Sequence, residues 1–151
     1  MKFPYQEYPR EPSEAFPDSR TRLSPIIPIS VTTPKKSVMI DALVDSGADH
    51  CIFPGMLGVA LGIDVNKGPK QLISGLGGRV IEARFHSIQL KLGRHLVGVC
   101  AGFSFDTIGV TGLLGQKGFF DNFKVIFDRS SQFIIVKRHS VFQKLLSSLE
   151  F

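Results

Sequence analysis

Fifteen glycines and nine prolines cut the apolar residues of this 151-residue chain into short runs. None approaches the length of a membrane span, so no transmembrane segment is expected. Frequent glycine favours tight turns, and short apolar runs between turns favour a β-rich fold. Apolar residues make up 43% and charged residues 21%, enough to build a core and too apolar for global disorder. The length fits one domain of ordinary size. Two cysteines cannot form a disulfide scaffold, and their spacing to histidines offers no zinc site, so no metal and no cofactor are expected. Met1–Arg10 has no apolar signal core, which points to a cytoplasmic location.

The formal charge of +5 might suggest nucleic acid, but its distribution argues otherwise. Residues 38–64 hold Asp41, Asp45, Asp49 and Asp64 and no Lys or Arg. The cations are scattered, with short pairs only at Lys35-Lys36 and Lys137-Arg138. A nucleic-acid binder concentrates its basic residues in a stripe interleaved with aromatics, so a β-barrel nucleic-acid binder is disfavoured.

Seven of the nine prolines fall in residues 1–34. Residues 1–22 mix Pro, Glu, Arg and Ser without an apolar period and read as a flexible arm. It contains three aromatic–proline pairs, Phe3-Pro4, Tyr8-Pro9 and Phe16-Pro17. From Ile26 the pattern changes. Residues 26–32 read as an edge strand, because Pro28 cannot donate a ladder bond. Residues 37–44 read as a second strand across the turn 33–36. A short strand at 50–54 and a helical turn within 55–63 follow. Residues 70–92 read as a long hairpin with a glycine-rich bend at Ser74-Gly75-Leu76-Gly77-Gly78. Further strands are expected over 95–103 and 109–115, then a short helix over 116–122. Residues 123–127 and 132–136 read as a hairpin. Val141, Phe142, Leu145, Leu146 and Leu149 then line one face of a helix over 140–149.

The chemistry-bearing residues are Leu43-Val44-Asp45-Ser46-Gly47-Ala48-Asp49. An apolar strand ends abruptly in Asp-Ser-Gly. Burial of the strand holds the Asp45 carboxylate rigid, Gly47 permits a sharp turn, and the Ser46 hydroxyl can lock the loop. Asp-Ser-Gly is also an ordinary turn sequence, so the tripeptide alone decides nothing. Its surroundings add weight. Another apolar strand follows it, and a second apolar-glycine run, Val110-Thr111-Gly112-Leu113-Leu114-Gly115, lies beyond the glycine-rich hairpin.

This order resembles the retropepsin-like aspartic proteases, the single-domain relatives of retroviral proteases. The resemblance covers residues 22–137 and rests on residues 42–49, on Gly112-Leu113-Leu114-Gly115 and on the hairpin after it. It implies a mainly β fold: a closed retropepsin-like acid-protease barrel with one short internal helix and a C-terminal helix. The implied divisions are the arm 1–22, a protease domain 23–138 and a helical extension 139–151. It implies a homodimer, because Asp-Ser-Gly occurs once here and acid proteolysis needs two carboxylates sharing a proton. Asp45 is then the catalytic residue, acting on extended, apolar-rich peptides or protein segments. Ser46 and Gly47 support the catalytic loop, Ser46 through a hydroxyl lock across the dimer. Ala48, Asp49, Gly75, Leu76, Gly77, Gly78 and Leu113 are the implied substrate-binding positions, with residues 75–78 as a flap and Leu113-Leu114 as a buttress. The alternative is a non-catalytic dimeric peptide-binding module of the same fold.

One departure stands out. Retroviral members often carry Arg after the second glycine motif, where this chain has Gln116, so an ion pair from there to Asp49 is in doubt and Arg22 is a substitute candidate. His50 and Cys51 adjoin Asp49, but strand neighbours face opposite ways and cannot converge on a metal. Cys51 and Cys100 are expected in the core, and His86, His95 and His139 at the surface.

Overall fold

The computed structural model describes residues 1–106 and 111–140, with the backbone alone at Leu76. Strands dominate: β1 Lys2–Pro4, β2 Gln6–Pro9, β3 Thr21–Ser24, β4 Ile26–Thr32, β5 Ser37–Val44, β6 Ile52–Pro54, β7 Lys70–Ser74, β8 Val80–Leu92, β9 His95–Ser104, β10 Leu113–Leu114, β11 Phe123–Asp128 and β12 Phe133–Arg138. One short helix, α1, spans Gly55–Ala60.

The main sheet runs β4-β5-β10-β6-β9-β8-β7, and β4 also pairs with β8 through Ser30↔Lys91, Val31↔Leu90 and Thr32↔Gln89. Alternation explains why these segments become strands. In β4, Ile27, Ile29 and Val31 are buried while Pro28 faces out. Pro28 lies beyond the β8 pairing, so its missing N–H costs no ladder bond there. The edge assignment therefore holds for the first half of β4 and fails from Ser30 onward. Phe53, Phe103, Phe119 and Phe123 anchor the interior. Phe53 meets Phe103 at 5.9 Å, and Phe119 meets Phe123 at 5.1 Å between ring centroids. Each such ring removes enough apolar surface from water to stabilise the fold by about 1.5–3 kcal/mol.

Two expectations need correction. Residues 1–22 are not an unpaired arm. Strand β1 pairs antiparallel with β12, the Met1 ammonium donates to the Val136 carbonyl at 2.7 Å, and β2 pairs with β3. The Phe3-Pro4 and Tyr8-Pro9 bonds thus lie within paired strands, whereas Phe16-Pro17 lies in the exposed connection between β2 and β3. Residues 116–122 form successive turns rather than a helix. Phe119 and Phe120 both donate to the Gly115 carbonyl, and Gly118 takes a left-handed φ of 103°. The internal helix is α1 instead. Of the strand expected over 109–115, residues 109 and 110 lie outside the described residues, and within 111–115 only Leu113–Leu114 form a strand. The C-terminal helix expected over 140–149 lies outside them from residue 141.

The hairpin β11–β12 turns through Asp128-Arg129-Ser130-Ser131, as its composition predicts. The Asp128 carboxylate accepts the Ser131 N–H at 3.0 Å and the Ser130 hydroxyl at 2.8 Å. Donation from Ser131 first, then Ser130, holds its carboxyl at about 2.

Candidate active site

Three consecutive backbone N–H groups fix the end of β5. Leu43 donates to Gly112 at 2.8 Å, Val44 to Pro25 at 2.9 Å and Asp45 to Leu114 at 3.1 Å. Strand β10 runs parallel to β5, with Leu113 opposite Leu43 and Leu114 opposite Val44. Val44 and Leu114 are buried, so the chain reaches Asp45 from a rigid base. The loop then closes on itself. The Asp45 carboxylate accepts the Gly47 N–H at 2.9 Å, and its carbonyl accepts the Ala48 N–H at 3.3 Å.

A second layer of contacts comes from the segment after β10. The Gln116 amide donates through Nε2 to the Ser46 carbonyl at 2.7 Å, while its backbone N–H reaches Ala48 at 2.8 Å. Lys117 donates to the Asp49 carbonyl at 2.9 Å. Gly115 makes this docking possible, since a Cβ there would stand 2.4 Å from the His50 carbonyl oxygen and 2.5 Å from that of Ala48. The structure thus brings Asp45, Ser46, Gly47, Ala48 and Asp49 into one loop, with Leu113 paired to Leu43 in the strand that leads into it. Gln116, the point of departure from the retroviral pattern, clips the loop by a neutral hydrogen bond. Sequence reasoning gave Gln116 no such role; its adjacency to the second glycine motif was the available signal. The ion pairs among the described residues are Lys67–Asp64, Lys70–Glu82 and Arg84–Glu82, so neither Arg22 nor another cation pairs with Asp49.

Strands β7 and β8 form the long hairpin. Gly75 donates to Arg79 at 2.9 Å, and Gly77 and Gly78 take φ of 84° and 76°. A Cβ on either of the last two would meet nothing within 4 Å, so the tip stands clear of its own chain. Clefts of 440, 410 and 610 Å³ lie elsewhere: beside Met1 and His95, beside Phe3 and Met39, and beside Arg22 and Arg129. None of the three is lined by Asp45.

The neighbouring histidine and cysteine do not converge. His50 lies edge-on to Phe85 at 5.1 Å. Cys51 is fully buried, and desolvation pushes its thiol up to about 12. It cannot supply a thiolate near neutral pH. Cys100, expected in the core, is exposed on β9, whose inward positions are Val97, Val99 and Ala101. The expected surface histidines are half-buried: His86 lies 2.9 Å from the Val65 carbonyl, His139 lies 3.2 Å from that of Phe120, and His95 meets Phe123 edge-on. Alkylation of the native protein at mild alkaline pH should therefore incorporate one label, at Cys100, and a second only after denaturation. Peptide mapping checks this, and native labelling of Cys51 would contradict the burial argument.

The site is thus an aspartate held on a doubly tied loop at the end of an apolar strand, with a long glycine-tipped hairpin in the same sheet. The aspartyl protease family model matches residues 29–117, and the chain belongs to that family. The enzyme is accordingly an aspartic endopeptidase. Among solved structures, a retropepsin-like aspartic protease from Rickettsia conorii aligns with a TM-score of 0.56 at 16% identity, covering 87% of this chain and 98% of that one. EIAV protease complexed with the inhibitor HBY-793 aligns with a TM-score of 0.48 at 18% identity, covering 62% of this chain and 82% of that one. A search of curated protein sequences gives no match.

Proposed function

We propose that the chain acts as a homodimeric endopeptidase in which Asp45 and its symmetry-related copy share one proton. One carboxylate activates a water, and the other donates to the scissile carbonyl. The observation that carries this reading is the single Asp-Ser-Gly loop, held rigidly at the end of β5 with no second carboxylate loop of its kind in the sequence. A two-fold axis beside Asp45 supplies the missing partner. The Ser46 hydroxyl makes no hydrogen bond among the described residues, which leaves it available for a lock across that axis. Gly47, Ala48 and Asp49 would bind substrate main chain, with residues 75–78 closing over it and excluding water. Leu113 buttresses the loop from below. The β4–β8 pairing supports reading the main sheet as a closed barrel. Exposed Leu72 and Val80 on the hairpin favour extended peptides with apolar side chains.

A peptide library incubated at acidic and neutral pH should be cut between apolar residues. Specific activity should fall once the protein is diluted below its dimer dissociation constant, with sedimentation reporting the monomer over the same range. Undiminished activity from a strict monomer contradicts the shared-site reading. Peptide binding without cleavage at any pH favours the non-catalytic module.

A further inference from the structure

Strand β8 outlasts its partner β9. Their ladder ends at Arg84↔Phe103, and Ser104 closes β9. From residue 83 to the tip, β7 is the one strand among the described residues that pairs with β8, and a two-stranded ribbon is marginally stable in water. One N–H in this stretch is nevertheless occupied from outside. Phe85 donates to Pro69 and Gly75 to Arg79, so every second pair between them exchanges hydrogen bonds within the hairpin. Leu72↔Glu82 falls on the alternate rungs, which turn the Glu82 N–H away from β7. Asp106 Oδ2 accepts that N–H at 2.9 Å. The carboxylate thus occupies the next rung of the β8–β9 ladder after β9 itself has turned away.

Asp106 is held for this role from its own side. Its N–H donates to the hydroxyl of buried Ser104 at 3.1 Å. The neighbouring Phe105 ring lies over Gly55, leaving no room for a Cβ there, the nearest ring atom being 2.5 Å away. The Glu82 carboxylate, which could repel Asp106, is engaged by Arg84 at 2.8 Å and Lys70 at 3.8 Å. The same chain continues to Leu114, whose carbonyl holds the Asp45 N–H.

We infer that Asp106 is a positioning residue that clips the base of the hairpin, sets the pivot about which it closes, and so tunes substrate capture. The inference rests on reading residues 75–78, at the tip of this hairpin, as the flap. With the clip in place the ribbon is ordered before substrate arrives; without it, substrate binding must supply that order. Asp106→Ala should therefore raise KM by about five- to tenfold, the net worth of one solvent-exposed hydrogen bond, while kcat stays within about twofold. Asp106→Asn keeps an oxygen acceptor and should restore most of the wild-type KM.

Amide hydrogen exchange supplies a readout independent of catalysis. The Glu82 amide should exchange faster in Asp106→Ala than in wild type or Asp106→Asn, while the Phe85 amide, bonded to Pro69, stays unchanged. Unaltered Glu82 exchange in the alanine variant overturns the clip. Faster exchange with an unaltered KM, or an asparagine variant as impaired as alanine, overturns its role in positioning. A wild-type protein that cleaves no peptide refutes the protease reading instead, and that failure appears in the activity arm alone.

Discussion

Replacing Asp45 by asparagine should lower kcat by about 10²–10⁴-fold or more, the range associated with losing a positioned acid or base. The fold should survive. The Asp45 carboxylate accepts the Gly47 N–H at 2.9 Å, and an asparagine oxygen accepts the same bond. The backbone ties of residue 45 to Leu114 and Ala48 do not involve the side chain at all. Melting temperature and oligomeric state should therefore match wild type, and circular dichroism with sedimentation can verify this before any kinetics are measured. Mixing gives a sharper result. If each active unit takes one aspartate from each subunit, an equal mixture of wild type and Asp45→Asn allowed to exchange leaves about half the wild-type chains in homogeneous dimers. Activity per wild-type chain should then drop to about half. Full activity in a clean Asp45→Asn preparation overturns the catalytic role of Asp45, and activity per wild-type chain that mixing leaves unchanged overturns the shared site.

Strand and hairpin positions were legible because their information is local. Residues 26–32 and 37–44 are short apolar runs separated by the turn residues 33–36, and that punctuation is enough to place β4 and β5. The Asp-Ser-Gly loop was legible only in company: alone it is an ordinary turn, and the apolar strands around it and the second glycine motif gave it weight. What stayed hidden depends on distant partners. Strand β1 is ordered by pairing with β12 and by the Met1 amine, contacts some 130 residues apart in sequence that no local composition encodes. Segment 116–122 has the length of a short helix, yet Gly118 and the shared Gly115 acceptor make it into turns. Cys100 was legible after all: period two places it opposite the buried Val99 and Ala101, and only its residue type suggested the core. At the site, Gln116 looked like a loss because its charge was missing. Its amide reaches a carbonyl, where an acceptor needs a donor but not a formal charge.

Gly115→Ala should be the most damaging substitution of a residue that carries no functional group. A methyl there would stand 2.4 Å from the His50 carbonyl oxygen and 2.5 Å from that of Ala48, and backbone on both sides cannot rotate away as a side chain can. The 112–117 segment must separate from the catalytic loop. Separation strains the Gln116–Ala48 and Asp45–Leu114 hydrogen bonds together, so stability and geometry fail at once. Overpacking of this kind costs roughly 1–3 kcal/mol, and two clashing carbonyls place this site at the upper end. In a domain of this size that corresponds to a melting temperature lower by roughly 6–12 °C. Activity should fall by about 10²-fold even in the folded fraction, since displacing a catalytic group by an ångström has that effect. Gly98→Ala is the control, because nothing lies within 4 Å of its Cβ position on β9. It should leave both melting and activity unchanged. Calorimetry and initial rates on the two variants decide the matter, and a Gly115→Ala protein with wild-type melting and rate would show that the two segments do not dock as closely as 2.4 Å requires.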